Sequence, residues 1–187
     1  MIVFSKVIWH NRDMYIIVGL GNPGEEFVGT RHNTGRMAVD YISKFGGTQA
    51  KFIFPETFMN KSGLAVAKVV KSKKAAEKLV VIYDDLDLPL GSLKISFNRS
   101  SGGHKGLESI IRALKTEAFI RIRIGISPTT PSGKLKKPQG ERAVEGYILG
   151  QFKKSELEIL KKVFPKVSQI IKTIVEDGLP IAMNKFN

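Results

Sequence analysis

Three histidines, a run of aspartates and two glycine-loosened loops hold the residue types that could do chemistry in this chain. The histidines are His10, His32 and His104, and there is no cysteine, so thiolate nucleophiles, disulfides and thiolate metal sites are excluded. His32 stands between Arg31 and Asn33, a titratable imidazole between a cation and an amide. His104 follows the small, flexible stretch Ser100 to Gly103. An imidazole titrates near neutrality and suits general-base work there. Asp84, Asp85 and Asp87 allow three readings: a metal cluster, an Asp-rich turn ahead of Pro89 and Gly91, or a carboxylate that orients a histidine. The third accounts best for carboxylates at a strand end. No serine sits in a nucleophile-elbow context, so any hydrolysis has to use water.

The elements that must position these groups are legible in the pattern. Met14 to Val18 is an apolar, partly β-branched run broken by Gly19, Gly21 and Gly24, which predicts a buried strand and a turn. In open α/β sheets ligands sit just beyond such carboxyl ends. Gly19 to Gly24 formally matches the dinucleotide pattern G-x-G-x-x-G. However, nine residues, Glu25 to Asn33, separate the loop from the next helix, and Glu25 and Glu26 stand where a pyrophosphate would approach. Thr34 is predicted to cap a helix through Ala38, Tyr41, Ile42 and Phe45. Phe52 to Phe54 reads as a short strand stopped by Pro55, and Leu64, Val66, Val69 and Val70 mark a helix. Leu79 to Tyr83 is a continuous apolar strand of the buried parallel type that ends in the aspartates.

Leu93 to Phe97 alternates as a strand, and Leu107, Ile110, Ile111 and Leu114 recur at helical spacing. From Phe119 to Ile126 the isoleucines face one way and Arg121 and Arg123 the other; Pro128 to Gly140 is a loop. The last predicted helix opens with a Ser155–Glu158 capping box, carries Pro165 as a kink or division, and closes at Gly178. Interleaved strands and helices define an α/β fold: one domain with a twisted mixed sheet between helices. It is expected over residues 14–187, with 1–13 as an N-terminal extension.

The charge identifies a class of partner. Thirty Lys and Arg residues against seventeen Asp and Glu leave a net +13, which points to a polyanion, most commonly nucleic acid. The alternative is a well-solvated lysine surface. No apolar run is long enough to span a bilayer, and Lys6 interrupts the only apolar run of the first thirteen residues, so no signal peptide is expected.

Read together, these motifs resemble the bacterial-type peptidyl-tRNA hydrolase family. The resemblance rests on Val18-Gly-Leu-Gly-Asn-Pro-Gly24, Thr30-Arg-His-Asn33, Thr57-Phe-Met-Asn-Lys-Ser-Gly63, Asp84-Asp-Leu-Asp-Leu-Pro89, Gly102-Gly-His104 and Arg121-Ile-Arg-Ile-Gly-Ile126, in order, with Asp177-Gly178 and the final residues. It implies metal-independent hydrolysis of the ester joining a peptide to the 3′-terminal ribose of tRNA, by a cytoplasmic monomer without a cofactor. It implies His32 as the base that activates water, Asp84 as the carboxylate that orients it, and Asn60 as an amide donor to the oxyanion. Asn22 and His104 correspond to substrate-positioning groups, and Phe27, Phe58, Met59, Lys105 and Arg123 join the substrate- and tRNA-binding set. Arg123 matches one member of a clamp on the tRNA 5′-phosphate.

Three departures stand out. The connection from Gly46 to Glu56 is shorter than the family's usual one, room for one strand fewer. Lys105 replaces an asparagine, and Ser96 a basic residue of the clamp, for which Lys94 or Arg99 are candidate substitutes. The rival reading is an RNA-binding relative that has lost catalysis, as in plant organelle splicing factors of this fold.

Overall fold

The computed structural model describes residues 14–45 and 50–187, so the expected extension 1–13 lies outside it. Five strands form one sheet in the order β2-β1-β3-β5-β4. They are β1 (Ile16–Gly19), β2 (Lys51–Ile53), β3 (Leu79–Pro89), β4 (Leu93–Phe97) and β5 (Ile120–Ser127). All neighbours run parallel except β4, which is antiparallel to β5. Among the described residues seven α-helices accompany them: α1 (Thr34–Phe45), α2 (Ser62–Ala67), α3 (Lys73–Ala76), α4 (Lys105–Leu114), α5 (Glu141–Ile148), α6 (Lys154–Glu176) and α7 (Leu179–Phe186).

The sheet is buried on both faces, which is why β1 and the first half of β3 read as unbroken apolar runs. On one face Ile17, Val80, Ile82 and the β5 isoleucines pack with Ala38, Val39 and Ile42 of α1 and the apolar stripe of α6. On the other, Val18, Val81 and Phe119 pack with Val66 of α2 and Leu107 and Ile110 of α4. Ile82 and Ile122 are fully buried, and truncating either to Ala removes about 2–5 kcal/mol. Close approach also matters: at Gly35 an added Cβ would run into the Ile82 carbonyl, so α1 crosses β3 where no side chain fits.

Several boundaries differ from expectation for identifiable reasons. β2 lies one residue earlier, because Lys51 to Ile53 take the register of Ile16 to Val18. The sheet pairing of β3 continues through Asp84 and Asp85, opposite Ile124 and Gly125, and both carboxylates find hydrogen-bond partners, in His32 and Arg123. Thr34 does not cap α1: it is its first residue, and its hydroxyl donates to the Arg31 carbonyl at 2.7 Å. Pro165 does not divide α6, which runs 23 residues with Leu160, Val163 and Phe164 buried before the proline and Val167, Ile170 and Ile171 after it. That burial outweighs the missing N–H bond. The first turn of α6 is also shifted: the Glu156 carboxylate accepts from the Lys153 N–H at 2.6 Å, in place of the expected Ser155–Glu158 box. The Asp177 and Gly178 N–H groups close α6 on the Thr173 carbonyl, and Gly178 turns the chain at φ 93° into α7.

Candidate active site

Beyond the carboxyl ends of β1, β3 and β5 opens a cavity of about 1290 Å³ that contains His32, Asp84, Asn60 and His104. His32 sits in a 3-10 turn, Arg31–Asn33, fixed from both sides. Outward, the Arg31 guanidinium donates to the Gln151 carbonyl at 3.0 Å, pairs with Glu156 at 2.9 Å and lies 4.4 Å from the Tyr147 ring centre. Inward, Asn33 exchanges two hydrogen bonds with the Asn22 backbone, at 2.8 and 2.9 Å. The Asn22 side-chain oxygen in turn accepts from the Met59 N–H at 2.7 Å. That fixes the amide orientation and leaves the Asn22 NH₂ on the cavity side.

At the centre, Asp84 holds two imidazoles. His32 Nδ1 is 2.9 Å from one carboxylate oxygen, and His104 Nε2 is 3.2 Å from the other. The tautomers follow from the donors around them. His104 caps α4 through Nδ1, which accepts the Gly106 and Leu107 N–H groups at 3.2 and 3.4 Å, so its proton resides on Nε2 and is donated to Asp84. His32 donates from Nδ1, leaving the Nε2 lone pair for the cavity. Burial alone would push the Asp84 carboxyl up, but the charges of His32 and His104 and their hydrogen bonds hold it well below the usual carboxylate range. For His32, burial is the largest influence and lowers its pKa; the charge and hydrogen bond of Asp84 together outweigh it, so the imidazole ends above its ordinary 6.5.

His32, Asp84 and His104 place potential ligand atoms within 4.8 Å of one another. As metal ligands they fit poorly: coordination through His104 Nε2 would force a proton onto Nδ1, against the two helix N–H groups it accepts. The aspartate run is dispersed as well. Asp85 pairs with Arg123 at 2.6 Å, Asp87 with Lys137 at 2.6 Å, and only Asp84 reaches a histidine.

The remaining sequence-derived residues take distinct places. Asn60 is exposed in the turn Met59–Lys61, lines the cavity and makes no side-chain hydrogen bond within the described residues. Phe27 and Phe58 meet edge to face at 6.3 Å and form an apolar lip, whereas Met59 is buried and serves as wall. Lys105 is exposed on the rim, 3.8 Å from Glu108. Ser96 stands opposite Arg121 on the neighbouring strand; opposite Arg123 stands Lys94, which makes that lysine the better placed substitute. Sequence reasoning missed Tyr83, whose ring edges against His104 at 5.0 Å, because it is hidden in an apolar run. It also missed α5, which adds Val144 and Ile148 to the cavity wall, with Leu149 just beyond its end.

Fold and site define an α/β protein carrying a buried aspartate–histidine pair on an open cavity. A family model described as peptidyl-tRNA hydrolase matches residues 16–52 and 43–187, the two segments overlapping at the shortened connection. Among similar relatives, the peptidyl-tRNA hydrolase of Alkaliphilus oremlandii is 39% identical over 93% of this chain and 100% of its own length. That of a Thermoanaerobacter species is likewise 39% identical, over the same shares. The crystal structure of peptidyl-tRNA hydrolase from Acinetobacter baumannii superposes with a TM-score of 0.80 at 28% identity, covering 96% of this chain and 97% of that one. The chain belongs to the peptidyl-tRNA hydrolase family.

Proposed function

We propose that this protein hydrolyses the ester between the peptide and the 3′-terminal ribose of peptidyl-tRNA, with His32 as general base. The observation that carries the reading is the His32–Asp84 pair at 2.9 Å on the cavity wall, which occupies Nδ1 and leaves Nε2 as the ring's acceptor. Water gives its proton to His32 Nε2 as its oxygen attacks the ester carbonyl. Asp84 keeps the ring in the Nδ1–H tautomer and stabilises the imidazolium that forms. The Asn60 amide donates to the developing oxyanion, a contribution of roughly 3 kcal/mol for such a donor. Collapse of the tetrahedral intermediate breaks the bond to the ribose oxygen, which takes the proton back from His32. The products are a peptide carboxylate and tRNA with its terminal hydroxyl free.

Asn22, Phe27, Phe58 and Met59 supply one polar and three apolar contacts for the peptidyl end, while Lys105 and Arg123 address RNA phosphates. His104 acts on the substrate side through Asp84, to which its Nε2–H is committed. The net charge of +13 supports an RNA partner. Among the described residues no helix is long and apolar enough to cross a membrane, and we read the protein as a cytoplasmic monomer, which sedimentation at micromolar concentration tests.

The direct test is release of free tRNA from an N-acylated aminoacyl-tRNA in buffer without added metal. Multiple turnovers are expected. Binding of the tRNA without release would instead identify an RNA-binding relative.

A further inference from the structure

One polar group in the cavity has its ring tightly packed and no partner for its donor among the described residues. Tyr83 is 5% exposed, edges against His104 at 5.0 Å, and lines the cavity. Its hydroxyl makes no hydrogen bond among the described residues, and it is not among the buried polar atoms left without a partner. Tyr83 therefore lines the cavity with almost all of its side chain covered. Its proton stays in place: burial first, then the Asp85 carboxylate, pushes the Tyr83 pKa up to about 12. The group is a permanent neutral donor across the working pH range.

Its position in the sheet is informative. The register sets Tyr83 of β3 beside Arg123 of β5, and Arg123 beside Lys94 of β4. Such partners point to one face, with neighbouring strands about 4.8 Å apart, so a hydroxyl, a guanidinium and an ammonium form one cross-strand row on the cavity floor. Asp85, the acid nearest this row, is spent on Arg123 at 2.6 Å and does not take the Tyr83 proton. In the other direction the rings step from Tyr83 to His104 and, 4.9 Å further, to His32. Tyr83 thus stands between the base that activates water and the cations that meet phosphate.

Building on the functional reading above, we propose that the Tyr83 hydroxyl donates to the phosphodiester on the 5′ side of the terminal nucleotide, fixing the single-stranded end of the RNA with its ester carbonyl over His32. A phosphate oxygen is the acceptor that this placement selects: it is anionic, it lies one nucleotide from the scissile ester, and the adjoining cations offset its charge. Tyr83 is accordingly a substrate-positioning residue that favours esters of nucleotides over esters of bare nucleosides.

The test compares wild type and Tyr83→Phe, which keeps the ring edge on His104, on two minimal substrates. One is an N-acylaminoacyl ester of the terminal nucleoside, and the other is the same ester bearing a 5′-phosphate. On the phosphorylated ester the variant should lose about tenfold in kcat/KM, almost wholly through KM, while the acid limb of its pH profile stays in place. On the nucleoside ester the wild-type-to-variant ratio should collapse towards one. An equal loss on both substrates would overturn the proposal, since it would place the effect at His104 or the ribose. No loss on either would overturn it too. Failure of the wild type itself to release tRNA would refute the functional reading, a result separate from any difference between the two proteins.

Discussion

At the catalytic end of the cavity, Asn22, His32, Asn33 and Asp84 are each no more than 7% exposed and tied to one another or to backbone. At the cationic end, Lys94, Arg99 and Lys105 are exposed, and neither Lys94 nor Arg99 has an ion-pair partner among the described residues. Interlocked bonds hold groups in one geometry in advance of the reaction, which proton transfer requires. Loose surface cations contribute through the field they set up, which counterions screen and long side chains adapt to. Substitutions at the first end should therefore change the chemical step, and those at the second should change binding and its salt dependence.

The largest effect is expected at the base. His32→Ala should lower single-turnover cleavage by about 100-fold or more while tRNA affinity is retained. Parallel loss of rate and affinity would break the division between the ends. Next comes Asp84→Asn, which should lower the plateau rate less, because it disturbs orientation rather than removing the base. Its pH signature is specific. A base works only when unprotonated, and Asp84 raises the His32 pKa above 6.5, so the wild-type rate should climb with pH through a midpoint above that value. Removing the carboxylate leaves burial, which lowers the pKa, so the acid limb should move to lower pH. A limb that stays put would mean that His32 is not the titrating group.

A smaller effect belongs to Arg123, which straddles the two ends. Arg123→Ala should weaken tRNA binding and flatten the log–log salt slope by about one unit. It also strands Asp85, now unpaired and facing phosphate, so adding Asp85→Asn should restore part of the lost affinity.

How much of this was legible differs between the same two ends. Strands β1 and β3 followed from apolar runs, because burial on both sheet faces writes itself into composition, and β5 followed from the strict alternation of its isoleucines. The alternation of Arg121 and Arg123 placed both on one face, though it left hidden that Arg121 is 1% exposed and bonded to the Ser100 carbonyl. The pairing of His32 with Asp84 could be anticipated as a type of arrangement. That a single carboxylate takes a second imidazole could not, since it depends on α4 beginning at the residue that caps it. Helix α5 fully buries none of its residues, and its apolar side is only Val144, Tyr147 and Ile148; the Tyr147 hydroxyl on the Ile126 carbonyl and Arg31 on the Tyr147 ring help hold it, contacts that span more than twenty residues.

The smallest effect, and the sharpest probe of the cationic end, is expected at Lys105. A cation in the first turn of a helix opposes the helix dipole by ~0.3–1 kcal/mol. Here Glu108, one turn on and 3.8 Å away, offsets part of that cost. Both side chains are solvated enough for salt to weaken the pair, so Lys105→Asn should leave the unfolding midpoint almost unchanged. Its side chain, 65% exposed on the rim, is free to swing from Glu108 to a phosphate when RNA arrives. Lys105→Asn should then weaken tRNA binding at low salt and cease to matter as counterions screen the site, with cleavage of bound substrate unchanged. Equal affinity at low salt would remove Lys105 from the RNA contact. A slower chemical step would be more damaging, because it would show that the rim feeds back on His104 and that the two ends of the cavity are not separable.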